Sequence, residues 1–158
     1  MTDLVDLSER EKWVLRLLYA PQKRGQETSI EGRTRLVKGL FLIDRMLSNK
    51  FPDFYGTGFE FRPYKYGPFD QSIYEAVEQL EERGLVTKEP SPEYSGNEFN
   101  LTVRGETVSK KAFEELPPKY KKEISWIKGK HVQKPVGQLL SFVYNQYPEM
   151  AQQSEYTS

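Results

Sequence analysis

The side chains best suited to catalysis are few in this chain, and their spacing argues against an active site. The single histidine, His131, follows Lys128-Gly129-Lys130, and cations so close disfavour its protonation. That setting is typical of a solvated loop histidine rather than of a general base. Gly56-Thr57-Gly58 is a short glycine motif followed by an extended segment, whereas a phosphate-binding loop opens a helix.

The carboxylates and the missing residue types lead to the same expectation. Glu78, Glu81 and Glu82 lie on a polar helix, without the apolar pocket that raises the pKa of a general acid. The absence of cysteine excludes disulfides, zinc ribbons and thiolate nucleophiles, and one histidine excludes two-histidine metal motifs. We therefore expect a protein that is not an enzyme and that uses no metal or cofactor.

Residues 59–66 interleave aromatic and polar side chains in the order Phe-Glu-Phe-Arg-Pro-Tyr-Lys-Tyr. Aromatic rings flanked by cations can stack on the bases of single-stranded nucleic acid. Alternating aromatic residues on a short strand can equally pack one face onto helices behind it. We favour this second interpretation, in which the segment belongs to the core.

The formal net charge is zero, but the charges are unevenly distributed along the chain. Residues 104–134 carry nine lysines and arginines against four glutamates, and a second basic group lies near 33–45. Such helices can hold phosphates through counterion release or meet an acidic partner, although a lysine-rich helix face is more often simply solvated. The candidate nucleic-acid-binding residues are Arg33, Arg35, Lys38, Arg45, Lys119, Lys121, Lys122, Lys128 and Lys130.

Residues 70–84 have the opposite balance, with five carboxylates against one arginine. A helix of that charge would be repelled by the phosphates that line a DNA groove. This helix suits a basic protein partner better. The candidate residues for such a contact are Glu75, Glu78 and Glu82 of the helix and Tyr94 of the predicted hairpin turn.

Two helices are predicted in the first third of the chain to support these residues. Ser8-Glu9-Arg10-Glu11 has capping-box spacing and predicts a first helix that ends near Ala20. Residues 22–32 are expected to form a loop with Ile30 as its apolar anchor. The segment 33–48 predicts a central helix that is apolar on nearly every face, so it must be covered on more than one side, either within the chain or by a second copy in a homodimer. Its apolar residues are Leu36, Val37, Leu40, Phe41, Leu42, Ile43, Met46 and Leu47.

The remaining elements follow from caps and periodicity. Asp70 is a plausible N-cap for a third helix that Gly84 ends. Residues 85–87 and the alternating Phe99, Leu101 and Val103 predict a β-hairpin. Helices over 118–128 and 135–147 are expected to cover the second side of the central helix.

The predicted fold class is α+β, mostly helical: a winged-helix-like domain with a two-stranded β-hairpin and a C-terminal helical extension. We expect one domain over residues 1–150, with the C-terminal helices in 106–150 and a frayed tail over 151–158. No segment approaches 18 consecutive apolar residues, and the acidic residues 1–6 do not form a signal peptide. We therefore expect a cytoplasmic protein with no membrane partner.

Two motifs carry a family resemblance: Gly32-Arg33-Thr34-Arg35-Leu36-Val37-Lys38-Gly39-Leu40-Phe41-Leu42, and Tyr66-Gly67-Pro68-Phe69 before a helix that ends Glu82-Arg83-Gly84-Leu85-Val86. Over about residues 30–105 the chain resembles the YwgA-like small prokaryotic proteins and, more distantly, the Panacea domain of SocA-like antitoxins. The resemblance implies a non-enzymatic, winged-helix-related prokaryotic fold and, for the Panacea-type relatives, neutralisation of a toxin by direct binding.

These observations lead to two functional hypotheses. The first is a regulatory, DNA-binding type of protein that contacts nucleic acid through its basic C-terminal helices and takes part in transcription regulation. The alternative is an antitoxin-like module that binds a protein partner through its acidic helix and hairpin.

Overall fold

The structure is a computed structural model that describes residues 4–21, 29–91 and 96–152. These residues form a mostly helical α+β fold. Its α-helices are α1 (Glu9–Tyr19), α2 (Arg33–Lys50), α3 (Ser72–Glu82), α4 (Val103–Glu114), α5 (Pro118–Ile127) and α6 (Val136–Gln146). Its strands are β1 (Ile30–Glu31), β2 (Arg62–Tyr64), β3 (Gly67–Phe69), β4 (Val86–Pro90) and β5 (Asn97–Leu101).

The predicted capping box of α1 is confirmed. The Ser8 hydroxyl accepts the Glu11 N–H at 3.1 Å, and the Glu11 carboxylate accepts the Ser8 N–H at 2.8 Å. The amide groups at the start of the helix thereby gain partners that the helix itself cannot provide. The predicted end of the helix is also confirmed, because Ala20 is its C-cap.

The predicted β-hairpin forms, but it belongs to a three-stranded antiparallel sheet in the order β1-β5-β4. The third strand was expected to be loop: Ile30, predicted as an anchor, pairs with Phe99 and is fully buried. Val103 was assigned to the return strand, and this prediction was wrong. It begins α4, because Thr102 caps that helix by accepting the Gly105 N–H at 2.9 Å. The Val103 side chain is 85% exposed.

A second antiparallel hairpin, β2–β3, follows α2. Pro63, a residue type that usually interrupts a strand, lies inside β2, paired with Pro68. A ribbon of two strands tolerates proline because each strand needs hydrogen bonds on one side only. Phe59 and Phe61 lie in the core, whereas Tyr64 and Tyr66 lie on the surface. The packing interpretation is therefore confirmed for the two phenylalanines alone.

Helix α2 lies at the centre of the core. Seven of its eight predicted apolar residues are buried, and the eighth, Met46, is partly buried against the core. The chain covers it by itself, since α1, α5, α6 and the π-helical turn Lys128–Val132 all pack against it. The argument for a homodimer from an uncovered α2 therefore no longer applies.

Gly39 explains how closely these elements approach. A Cβ atom at this position would lie 3.0 Å from both Leu17 Cδ2 of α1 and Val132 Cγ2 of the π-helical turn. A glycine inside a helix costs about 1 kcal/mol relative to alanine. Here that cost accompanies the close packing of both α1 and the π-helical turn against α2.

Asp70 acts near the start of α3, although the N-cap position itself belongs to Gln71. Its Oδ1 accepts the Ser72 N–H and the Ser72 hydroxyl, both at 2.8 Å, while its Oδ2 accepts the Glu60 N–H at 2.6 Å. The carboxylate therefore both caps the helix and ties it to the segment before β2.

The C-terminal part ends in the 3₁₀ turn Pro148–Ala151. Residues 153–158 of the predicted frayed tail, residues 22–28 of the predicted loop and Tyr94 lie outside the described residues. Among the described helices, none has the length and apolarity needed to span a bilayer.

Candidate nucleic-acid interface

The nine predicted nucleic-acid-binding residues differ in burial and in pairing. Some are buried, some are exposed or half-buried with a partner in the protein, and some are exposed with no ion pair among the described residues. Lys38 and Lys128 belong to the buried group, at 5% and 0% exposure, so their assignment to a binding surface is corrected. The helical spacing that places a lysine on a basic stripe does not reveal which side of the helix faces the core.

Lys128 is buried with acceptors for its charge. Its Nζ donates to the carbonyl oxygens of Leu18 and Ala20, each at 2.8 Å, at the C-terminal end of α1. A cation there also interacts favourably with the helix dipole. Lys128 is therefore a structural tie between the π-helical turn and α1.

Lys38 is buried without such acceptors. Its Nζ forms no hydrogen bond or ion pair with any residue in the described part of the chain. Burial lowers the pKa of Lys38 to about 8. Its Cε lies beside Gly67 in β3, where a Cβ atom would come within 3.4 Å of it.

The three remaining α2 cations are bonded within the molecule. Arg35 donates to the carbonyl oxygens of Glu31 and Lys134, and Arg45 pairs with Asp44 at 2.9 Å. Arg33 is exposed, but its guanidinium lies 5.0 Å from the centre of the Tyr74 ring, beside the acidic α3. The predicted basic stripe on α2 therefore does not form one surface.

Asp44 also accounts for the glycine motif. Its Oδ1 accepts the N–H of Thr57 at 2.9 Å and the Thr57 hydroxyl at 2.8 Å. Gly56 and Gly58, on either side, have positive φ values of 94° and 92°. The motif thus forms a turn around the Asp44 carboxylate.

On α5 the structure brings cations together around an aromatic residue that the sequence analysis missed. Lys119, Lys122 and Trp126 follow one another at spacings of three and four residues, which places them on one helix face. Lys130 follows four residues later in the π-helical turn. We call Lys119, Lys122, Trp126 and Lys130 the α5 ridge; Lys121 is partly buried, about a quarter turn from Lys122.

Trp126 is the unusual member of the α5 ridge because its side chain is 48% exposed. The buried face of α5 consists of Tyr120, Ile124 and Ile127. This feature is visible in the sequence. Trp126 lies outside the apolar stripe of α5, with one lysine four residues before it and another four residues after it.

The Trp126 ring is supported from behind. The ring makes a T-shaped contact with His131 at 5.2 Å between ring centres, and His131 stacks on Phe142 at 3.8 Å. The prediction of a solvated His131 is wrong, because its Nε2 is buried and has no partner among the described residues. Burial, followed by the charges of Lys130 and Lys134, lowers the pKa of His131, so both cations lie near this aromatic stack.

Among the ridge cations, Lys119 has an ion-pair partner in the described part of the chain. It forms an ion pair with Asp53 at 3.0 Å, and its hydrogen bond lowers the pKa of that carboxyl group. Lys122 and Lys130 are exposed and form no ion pair with the described residues. Two free lysines therefore flank the Trp126 ring.

The protein-partner candidates on α3 are all on the surface. Glu75, Glu78 and Glu82 are exposed and have no ion pair within the described chain. Glu81 lies 3.8 Å from Lys88 of β4. Across residues 4–21, 29–91 and 96–152, no group of three side chains could hold a metal ion.

No protein-family model, curated protein or solved structure matches this chain. Its own residues and their geometry are therefore the basis for a functional proposal.

Proposed function

We propose that this chain is a non-enzymatic, winged-helix-like regulatory protein that contacts single-stranded nucleic acid through the α5 ridge. The winged-helix part of the proposal is supported by the element order α1-β1-α2-α3-β4-β5 and by the antiparallel sheet order β1-β5-β4. The β2–β3 hairpin is an insertion between α2 and α3.

Helix α3, which occupies the usual recognition position in this order, is a poor reader of DNA. Its exposed residues include Glu75, Glu78 and Glu82, and the phosphates on both sides of a groove would repel them. We therefore assign nucleic-acid contact to α5 instead of α3.

The exposed Trp126 is the observation that carries this assignment. A base that stacks on an aromatic ring contributes about 1–3 kcal/mol, and the interaction accepts every base because each has a π face. Lys122 and Lys130 are free to contact the phosphates on either side of that base. Unpaired strands are favoured because a duplex keeps its base faces stacked.

Intrinsic fluorescence tests this proposal with little ambiguity. The chain has two tryptophans, and Trp13 is only 4% exposed, so a ligand that stacks on the surface acts on Trp126. A thymidine oligonucleotide at about 50 mM salt, where phosphate contacts are strongest, should quench the fluorescence saturably.

Two variants complete the test. Trp126→Leu should lose the quenching and bind about tenfold or more weakly, as expected for the loss of one stacked base. Trp13→Phe should retain both. The absence of quenching, together with an unchanged anisotropy of a labelled strand, would reject nucleic acid as the ligand.

The antitoxin-like alternative has support of its own in the free carboxylates of α3. Glu75, Glu78 and Glu82 together could meet a cationic protein surface. A lysine-rich peptide is a simple probe of this surface. Under this alternative Glu75→Gln/Glu78→Gln/Glu82→Gln abolishes peptide binding and Lys122→Glu/Lys130→Glu does not, whereas equal binding by both variants contradicts it.

A further inference from the structure

A cleft of about 490 Å³ lies between the β2–β3 hairpin, the first turn of α3 and the start of α1. One wall is formed by the hairpin. Arg62 lies opposite Phe69 in the ladder, and Tyr64, two residues further along β2, projects from the same face as Arg62. The Tyr64 and Phe69 rings stack at 5.3 Å, with 30° between their planes. This wall is therefore apolar, with a guanidinium group beside it.

The rest of the cleft is lined by polar and charged side chains. Glu75 of α3, Glu60 before β2 and Arg10 of α1 line it. Asp70 connects its parts, since it bonds the main chain of Glu60 as well as Ser72. Burial alone would raise the pKa of Asp70, but these hydrogen bonds and the nearby Arg10 outweigh it and lower that pKa, so the carboxylate is engaged as an anion.

The other charged groups of the cleft are not engaged. The side chains of Arg62, Glu60 and Glu75 form no hydrogen bond or ion pair within the described residues. Arg10 uses Nε to bind the Gly58 carbonyl oxygen at 2.8 Å, which leaves its two terminal nitrogens available. Besides the engaged Asp70, two cations and two anions thus line one cleft without forming ion pairs with one another.

A ligand that satisfies all of these groups must carry both charges and an apolar part. A simple anion would face Glu60 and Glu75, a simple cation would face both arginines, and an apolar molecule would leave every charged group without a partner. The volume is within the range of small-molecule sites.

We propose that this cleft binds a free α-amino acid with an aromatic or large apolar side chain. Arg62 and Arg10 receive its carboxylate, for which guanidinium groups offer paired donors. Glu60 and Glu75 receive its ammonium group, and its side chain packs on Tyr64 and Phe69. This site is separate from the α5 ridge, so the proposal does not depend on nucleic-acid binding.

L-Phenylalanine and two capped analogues test the proposal by titration calorimetry and by amide chemical-shift mapping. N-Acetyl-L-phenylalanine lacks the ammonium group, and L-phenylalaninamide lacks the carboxylate. L-Phenylalanine should bind and shift amide signals of β2, β3 and the start of α3. Each analogue should bind about tenfold or more weakly, because it leaves charged groups of the cleft unpaired.

Variants locate the site and provide the control. Arg62→Gln and Glu75→Gln should each weaken the binding of L-phenylalanine about tenfold or more. Glu82→Gln, on the same helix but outside the cleft, should leave it unchanged.

The proposal would be overturned if L-phenylalanine did not bind at about 10 mM, since that concentration would detect even millimolar affinity. Binding of the capped analogues as tightly as L-phenylalanine, or chemical-shift changes confined to other surfaces, would overturn it as well. Shifts at the cleft with a lysine-rich peptide but not with L-phenylalanine would also overturn it, and would assign the cleft to the protein partner instead.

Discussion

Two buried lysines on neighbouring segments place their charges in very different surroundings. Lys128 has two carbonyl acceptors at 2.8 Å, whereas Lys38 has no partner among the described residues. Removing an ammonium group from water costs free energy unless hydrogen bonds replace the lost hydration. The same residue type is therefore stabilising at one site and costly at the other.

Lys38 makes the stability of the protein depend on pH in the alkaline range. Because its pKa falls from 10.5 to about 8 on folding, the unfolded chain binds more protons between these values, and stability rises as the pH rises through that window. Below pH 8 Lys38 is charged in the folded state, and burying that charge lowers the free energy of unfolding by about 3 kcal/mol at most.

Lys38→Met should therefore stabilise the protein near pH 7 and remove the rise between pH 8 and 10.5. Urea denaturation at pH 7, 8, 9 and 10 measures both effects. Lys122→Met, at an exposed position, controls for the loss of one positive charge. A pH profile of Lys38→Met parallel to that of the unmodified protein would show that Lys38 is not the titrating group.

His131 should act in the acidic range. Burial against aromatic rings and the charges of Lys130 and Lys134 lower its pKa below 6.5, so the unfolded state takes up a proton before the folded state does. Stability should therefore decrease as the pH falls through 6.5, and His131→Phe should reduce that decrease, because it retains the stack on Phe142 without a titrating group. Proton NMR of the imidazole checks the assignment, and a folded-state titration at or above 6.5 would contradict it.

Among the elements, the π-helical turn Lys128–Val132 joins several parts of the fold through its side chains. It contributes Val132 to the contact with Gly39 of α2, Lys128 to the end of α1 and His131 to the support of Trp126. A π-helical turn costs backbone hydrogen-bond geometry, and turns of this kind are frequent at functional sites. Here it joins the core to the α5 ridge.

Lys128→Met should destabilise the protein by about 2–4 kcal/mol, because it leaves two carbonyl groups at the end of α1 without a donor. Lys130→Met, two residues along in the same turn and exposed, should change stability by less than about 0.5 kcal/mol. Thermal unfolding of the two variants measures the difference. Equal melting temperatures would show that the Lys128 hydrogen bonds do not stabilise the fold.

Helix positions could be predicted from the sequence because they depend on local signals. The capping box at Ser8 and the apolar faces of α2 identify their helices whatever surrounds them. Strand β1 could not be found in this way, since its two residues become a strand only by pairing with β5, far along the chain.

The candidate surface was predicted less well, for a similar reason. The burial of Lys38 and Lys128 depends on how α1, β3 and α6 pack around them, which no local spacing reveals. Trp126 could have been found, because its position off the apolar stripe of α5 is visible in the sequence.

Across the whole molecule, opposite charges are gathered on two different surfaces although the net charge is zero. The α5 ridge has free lysines around an exposed indole, and α3 has free glutamates. Electrostatic steering acts through such local patches rather than through the net charge. The two surfaces should therefore select partners of opposite charge.

Binding of a labelled thymidine oligonucleotide at about 50 mM salt, compared between two charge variants, tests the central claim most directly, because phosphate contacts are strongest at low salt. We predict that Lys122→Glu/Lys130→Glu abolishes binding, while Glu75→Gln/Glu78→Gln/Glu82→Gln leaves it intact or strengthens it. Undiminished binding by the lysine variant, or loss of binding in the glutamate variant alone, would contradict the assignment of nucleic-acid contact to the α5 ridge.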